Sequence, residues 1–388
     1  MWQWVDRIHG RRPTERLILD VGGSIISTSV QQEGTARTDR FVCHAELENP
    51  RRSWYIGVQE SSAVAGRGIW EMSDTGGQGM NLNVAVVLFA VLPTVVCTAA
   101  EEDALAFRPG AAGEYIFDTG VLRGVLRPNS QSRGLSSVVH VPTGMRLDRS
   151  MGIAAHYRVF TAGERYGAAA WDWEGTAERL PDGSVQTTWP ATSGRPFEMR
   201  AVYRWADPQT LDVETTVTAL DGLRSFEAFL ASYFDEAFSS PYVYAQQSPE
   251  GEHGPGFLLA RKSYGDWLMF PRDKAVLPII QDGRWTLEPH PVDWRIMPTL
   301  AAPICLRRGA DDHPTVVLMA PPGDCFAIAT PYEGEGHYSL YLSLLGHNIK
   351  AGATAMARAR FIVAAHVSDE EVVNLFRQYI EKVQSPKK

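Results

Sequence analysis

Carboxylate and imidazole come together in one short segment, "PYEGEGHYS", which holds Glu333, Glu335 and His337. Its two glycines suggest a loop at a sheet end, where functional side chains tend to gather. A Glu two residues before a His offers both halves of an acid–base pair, able to take a proton from one atom of a bound molecule and return one to another. Asp235 and His347 are the other catalytic candidates. In "FEAFLASYFDEAF", Tyr233 and Asp235 stand two apart and so share a strand face. The alternative has Tyr233 in the core and Asp235 capping the strand end. His347-Asn348 follows a glycine, where it either contacts a ligand or forms a turn whose side chains bond the backbone.

A second group of residues has the chemistry of binding. In "HYRVF", His156 and Arg158 share a face with Tyr157 opposite, and a guanidinium there can grip a carboxylate with two parallel hydrogen bonds. The alternative is an Arg–Glu pair beside an exposed His156. Trp171 and Trp173 also alternate, as a stacking platform or as core. His140 precedes the turn Pro142-Thr143-Gly144 and has the same ambiguity as His347.

Several chemistries are excluded. Beyond residue 100 the histidines are scattered, with no His-x-Glu or Cys-x-x-Cys cluster, so no metal site is expected. There is no Gly-x-Ser-x-Gly elbow, and "GGQG" lies in the wrong context for a phosphate loop. No cofactor is expected. The formal net charge is −8 without any Lys/Arg block, which argues against nucleic acid. Beyond residue 100 only Cys305 and Cys325 remain, as one disulfide or two buried thiols.

The elements that must position these residues are mainly strands. In "PFEMRAVYRWADPQTLDVETTVTAL", Phe197, Met199, Ala201, Tyr203 and Trp205 alternate with polar neighbours. Leu211, Val213, Thr215 and Val217 do the same after the Asp207-Pro208 turn. Pairing Trp205 with Leu211 sets Arg204 opposite Asp212, as a cross-strand charge pair. "AAAWDWEGTAERLPDGSVQTTWP" and "GHYSLYLSLLGHNIKAGATAMARARFIVAAHV" each hold two more strands, so the chain should form an all-β, antiparallel sandwich. One helix closes it, "SDEEVVNLFRQYIEKVQ", where Ser368 and Glu371 complete a capping box. Val372, Leu375, Phe376, Tyr379 and Val383 form its apolar face.

The order of these pieces, roughly Gly120 to Val367, resembles the galactose-mutarotase-like, or aldose 1-epimerase-like, β-supersandwich proteins. It runs from "GVLRGVLRPNSQSRGLSSVVHVPTGMRL" through "HYRVF" and the "PFEMRAVYRW" hairpin to the aromatic strand around Tyr233-Phe234 and the closing strands about Lys350-Ala351-Gly352-Ala353. The resemblance implies a sugar held against the concave face of the large sheet, with His140, His156, Arg158, Trp171 and Tyr233 as contacts. It also implies an acid His directly before the Tyr-Phe pair and a base Glu on the penultimate strand. Here Ala231-Ser232 fill the first place, and "YSLYLSLLG" has no acidic residue. The implied function is therefore a carbohydrate-active protein, using Asp235, Glu335, His337 or His347 for epimerisation or a lyase-type elimination. The alternative is a glycan-binding or scaffold protein on the same fold. Oligomeric state is left open.

Between Asp74 and Glu101 no side chain is charged, and Val84–Val96 is almost wholly apolar. About thirteen strongly apolar residues fall short of the ~20 needed to cross a bilayer. A buried strand or core helix is one reading. A start at Met80, an apolar core, small residues at Thr98-Ala99-Ala100 and then Glu101-Glu102-Asp103 compose another, a secretory signal peptide, although no Lys or Arg precedes the core. The favoured organisation is thus an upstream extension over 1–79, a signal peptide over 80–100, a β-supersandwich over 101–367 and a helix with tail over 368–388. The exported chain would have no stable membrane span.

Overall fold

The computed structural model describes residues 105–385 apart from 129–131, 150, 252–253 and 311; upstream it describes only five backbone strands between Arg16 and Asp74. The chain divides into two units, Met1–Leu92 and Pro93–Lys388. In the first, Arg16–Val21, Ser24–Glu33 and Arg40–Leu47 form an antiparallel sheet, and Trp54–Gly57 pairs with Glu71–Asp74. Met80 and the apolar run after it lie outside the described residues.

The second unit is a sandwich of a seven-stranded and a nine-stranded sheet, with a five-stranded sheet over Arg108–Arg146 beside them. The nine-stranded sheet contains the expected hairpin, Phe197–Asp207 against Thr210–Ala219. Its register puts Trp205 opposite Leu211 and Arg204 opposite Asp212. Phe197, Met199, Ala201, Tyr203 and Trp205 all point into the core, and fully burying such side chains stabilises the fold by about 1.5–3 kcal/mol each. The charges do not pair across the hairpin as expected. Arg204 bonds Asp182 on one side, and Asp212 takes two bonds from Arg360 on the other. Asp182 lies in the turn between Thr176–Arg179 and Val185–Trp189, and Arg360 stands directly opposite Asp212 on the next strand.

The seven-stranded sheet runs, edge to edge, Glu164–Arg165, Ala155–Thr161, Leu223–Tyr233, Ser339–Ile349, Cys325–Pro331, Trp267–Pro271 and Arg295–Ile296. Its central strands are buried on both faces. Phe226, Ala228 and Leu230 face the nine-stranded sheet, while Phe229, Ala231 and Tyr233 face an outer apolar layer. That second burial explains why "YSLYLSLLG" carries no charge. The C-terminal helix, Asp369–Gln384, starts with the anticipated capping box of Ser368 and Glu371. Its Val372, Phe376 and Tyr379 cover the opposite side of the nine-stranded sheet against Ile304, Leu306 and Ile362. Among the described residues no helix is long and apolar enough to cross a membrane.

Cys305 and Cys325 are both buried free thiols, and burial pushes the Cys325 pKa up to about 12. His156 is buried too, but between the sheets. Its Nε2 meets the Thr215 hydroxyl at 2.8 Å and its ring lies 5.3 Å from Trp189. Burial pushes its pKa from 6.5 down to about 3. Unfolding therefore takes up one proton between those values, so this group's effect is to lower stability as pH falls from about 6.5 towards 3. A His156→Gln variant should lose stability less steeply than wild type over that window in thermal melts; parallel slopes would contradict a neutral buried His156.

Candidate functional site

A cavity of about 590 Å³ lies on the outer face of the seven-stranded sheet. Its floor is aromatic: Phe229 stacks on Tyr341 at 4.7 Å, and Tyr233 meets Tyr341 edge-on. One wall is Tyr157 stacked flat on Trp171, 4.3 Å apart and 1° from parallel. The opposite wall is Trp285 and Trp294, 5.2 Å apart, with Trp267 against Trp294. The Tyr233 and Tyr341 phenols are linked at 3.4 Å, and Ser339 donates to Tyr341. Burial raises both pKa values, that of Tyr341 to about 12, so each phenol stays protonated at neutral pH. Tyr341 gives its one proton to the Tyr233 oxygen, which leaves the Tyr233 O–H to donate to a ligand oxygen.

Arg158 reaches this cavity by an irregularity in its strand. The pairing of Ala155–Thr161 with Leu223–Tyr233 shifts register between His156 and Val159. The extra residue turns Tyr157 and Arg158 to the cavity while His156 keeps its place in the core. The expectation that His156 and Arg158 share a face, with Tyr157 opposite, is thereby corrected. Arg158 is 4% exposed. Its Nη2 donates to the His290 carbonyl at 2.8 Å and to the Tyr157 hydroxyl at 3.3 Å, and its guanidinium lies over Trp285.

Glu335 and His337 meet at the rim. Gly334, with φ +79°, turns the loop so that both Glu335 oxygens face back on His337, one taking its backbone N–H at 2.9 Å and the other its Nδ1 at 2.7 Å. That contact places the ring proton on Nδ1 and leaves Nε2 as the acceptor, the tautomer a general base needs. The His337 ring lies 5.4 Å from Trp267 and 6.4 Å from Tyr233, which keeps it at the cavity.

The Trp285 wall is fixed by charge. Arg284, wholly buried, bonds Glu227 at 3.0 Å and Asp282 at 2.8 Å. Burial alone would lower the Arg284 pKa; bonds from Asp282 and the Glu227 charge outweigh it and raise the value. Glu227 sits in the central Leu223–Tyr233 strand, so the pair ties the loop after Ile280 to the middle of the sheet.

The remaining candidates lie elsewhere. Asp235 accepts from the Ala237 N–H in a turn beyond the strand, the capping role. His140 bonds Thr143 in the five-stranded sheet. His347 bonds the Leu345 carbonyl, with its pairing strand partner at Phe226, at the other end of Ser339–Ile349 from His337. None of the three lines the cavity. Trp171 does, but from a 3-10 turn, Ala170–Asp172, which sends Trp173 to the sandwich core instead of the same face. Sequence reasoning missed Arg149, Tyr157, Trp267, Trp285, Trp294 and Tyr341. A usable sign was the long unpatterned stretch Gln281–Val292, with Trp285 in it and Trp294 just beyond.

Replacing Arg284 with Met strands Glu227 as a buried unpaired carboxylate. The expected loss is about 3–5 kcal/mol in urea unfolding, with much of it recovered in the Glu227→Gln, Arg284→Met double variant. Equal losses in both would show that the pair does not act as a unit.

No protein-family model and no curated protein matches the sequence. Among solved structures, the chain is similar to a galactose-mutarotase-related enzyme from Lactobacillus acidophilus, at 10% identity and TM-score 0.42, over 66% of this chain and 99% of that one. It is similar to a GalM/aldose epimerase homologue from C. elegans, at 8% identity and TM-score 0.38, over 68% and 99%. It is also similar to an alpha-N-acetylgalactosaminidase from Bifidobacterium bifidum, at 11% identity and TM-score 0.41, over 71% of this chain and 39% of that one. The chain is an antiparallel β-sandwich with a C-terminal helix, and its structural neighbours include galactose-mutarotase-like and aldose-epimerase-like proteins.

Proposed function

We propose that the cavity binds a sugar ring and that His337 moves a proton on it. The observation that carries this reading is the Glu335–His337 contact of 2.7 Å at the edge of an aromatic-lined cavity. Apolar sugar faces pack on aromatic rings, and the stacked Tyr157–Trp171 pair and the Trp285–Trp294 corner supply them. Tyr233, whose oxygen accepts from Tyr341, would donate its own proton to a ring or hydroxyl oxygen. His337, oriented by Glu335, would take a proton from a hydroxyl or a ring carbon and return it, as epimerisation or elimination requires.

A second reading is a glycan-binding protein without catalysis. Ala231-Ser232 stand where the family's acid is expected, and no carboxylate lines the cavity among the described residues. The two part in one NMR experiment on the full chain with aldoses, uronic acids and oligosaccharides, reading saturation transfer to sugar protons and anomer exchange or product formation together. The catalytic reading predicts turnover that falls by about 10²–10⁴-fold in His337→Gln, with saturation transfer retained. Saturation transfer without turnover in wild type favours the binder. No contact with any sugar contradicts both.

Export by the segment 80–100 remains part of the proposal, supported by the apolar run and the small residues before Glu101. Mass spectrometry of the protein from its native host should find a terminus near Glu101; a native terminus upstream of Met80 would contradict export by this route.

A further inference from the structure

We infer that the ligand of this cavity is an acidic sugar, one that carries an oxyanion placed against Arg158. The inference rests on the sugar-binding reading and deepens it. It starts from hydrogen-bond bookkeeping around the cavity. Four buried N–H donors on residues that line it have no acceptor among the described residues: Arg158 Nε and Nη1, Trp285 Nε1 and Trp294 Nε1. Buried polar groups are nearly always paired, so four orphans of one kind at one cavity ask for an oxygen-rich partner.

Charge points the same way. The hydrogen bonds Arg158 makes among the described residues go to uncharged oxygens, the His290 carbonyl and the Tyr157 hydroxyl. The faces of Tyr157 and Trp285, 4.9 and 5.4 Å from the guanidinium, attract the cation without cancelling it. A second guanidinium, Arg149, stands exposed at the mouth, bonded to the Gly336 carbonyl and lying over Tyr338. No Asp or Glu among the described residues lines the cavity, and Glu335 nearby already spends both oxygens on His337. Arg165 lies near enough to feel the Arg158 charge and has Glu288 close to it as counter-charge. All this occurs in a chain of net charge −8, so the excess of cations is local to the site.

An uncompensated buried cation is costly, and an anion from outside offsets that cost with charge-assisted hydrogen bonds about twice as strong as neutral ones. A neutral sugar would satisfy some of the donors but leave the charge. Carboxylate, sulfate and phosphate share the required chemistry, and the arms of the experiment separate them.

The test is isothermal titration of the full chain with matched ligands: galactose, galacturonate, galactose 6-sulfate and galactose 6-phosphate, then neutral and uronate-terminated oligosaccharides of equal length. At least one acidic member should bind tenfold or more tighter than its neutral counterpart, and the arm that does so names the anion. In Arg158→Met that ratio should collapse towards one, with Arg158→Lys restoring part of it. Should Arg158→Met fail to fold, Arg149→Gln at the exposed mouth should lower the same ratio severalfold. Equal binding of neutral and acidic partners by wild type would overturn the inference while leaving the sugar reading standing; binding of none of these ligands would overturn the sugar reading itself.

Discussion

The Trp285 side of the cavity depends on one buried ion pair. Glu227 lies in the middle of the seven-stranded sheet, at a position that a strand buried on both faces would ordinarily fill with an apolar residue. Its charge is tolerated because Arg284 arrives from the covering loop and is itself clamped by Asp282. Removing two charges from water is expensive, so the pair adds little to stability compared with a well-packed apolar alternative. What it provides is position. Arg284 can satisfy Glu227 only if the loop returns to the sheet at that point, and Trp285 next to it is then set on Phe160 and Phe229. From Trp285 the wall continues to Trp294, and the carbonyl of His290 is left where Arg158 needs it.

The same region holds its backbone in conformations that cost free energy. His290 and Tyr338, non-glycine residues with φ of 61° and 46°, sit on either side of the cavity in the left-handed region. Each costs on the order of 1–3 kcal/mol and persists where surrounding contacts dictate it. At His290 the contact is the Arg158 hydrogen bond. At Tyr338 the carbonyl accepts the Phe234 N–H, and Arg149 and Arg307 flank the ring. Rigid placement of this kind suits a site that must present donors to a ligand without reorganising.

How far the sequence discloses this molecule depends on whether a strand has one wet face. The Phe197–Ala219 hairpin does, and its alternation gives both the inward set and the register correctly. The helix from Asp369 is equally plain, because capping is local chemistry. Strands of the seven-stranded sheet are covered on both sides, so alternation no longer tells which face a residue serves. Arg158 illustrates the limit: the choice of its face turns on the register shift between His156 and Val159 in which it lies, and a shift leaves no periodic trace. Trp171 is another case, a cavity wall expected on a strand and found on a 3-10 turn. The Trp285–Trp294 wall has no periodicity at all, since loop geometry is fixed by tertiary partners such as Glu227, 57 residues earlier in sequence. Glu335 and His337 were legible because the pair is local, two residues apart across a glycine.

The most direct test of the account is a crystal structure of the protein with a bound acidic oligosaccharide. The account predicts a sugar ring packed between the Tyr157–Trp171 wall and Trp285, an oxyanion within hydrogen-bond distance of Arg158, and His337 Nε2 facing a hydroxyl or ring carbon. A ligand seated elsewhere on the sandwich, with the aromatic cavity empty and no oxyanion at Arg158, would contradict it.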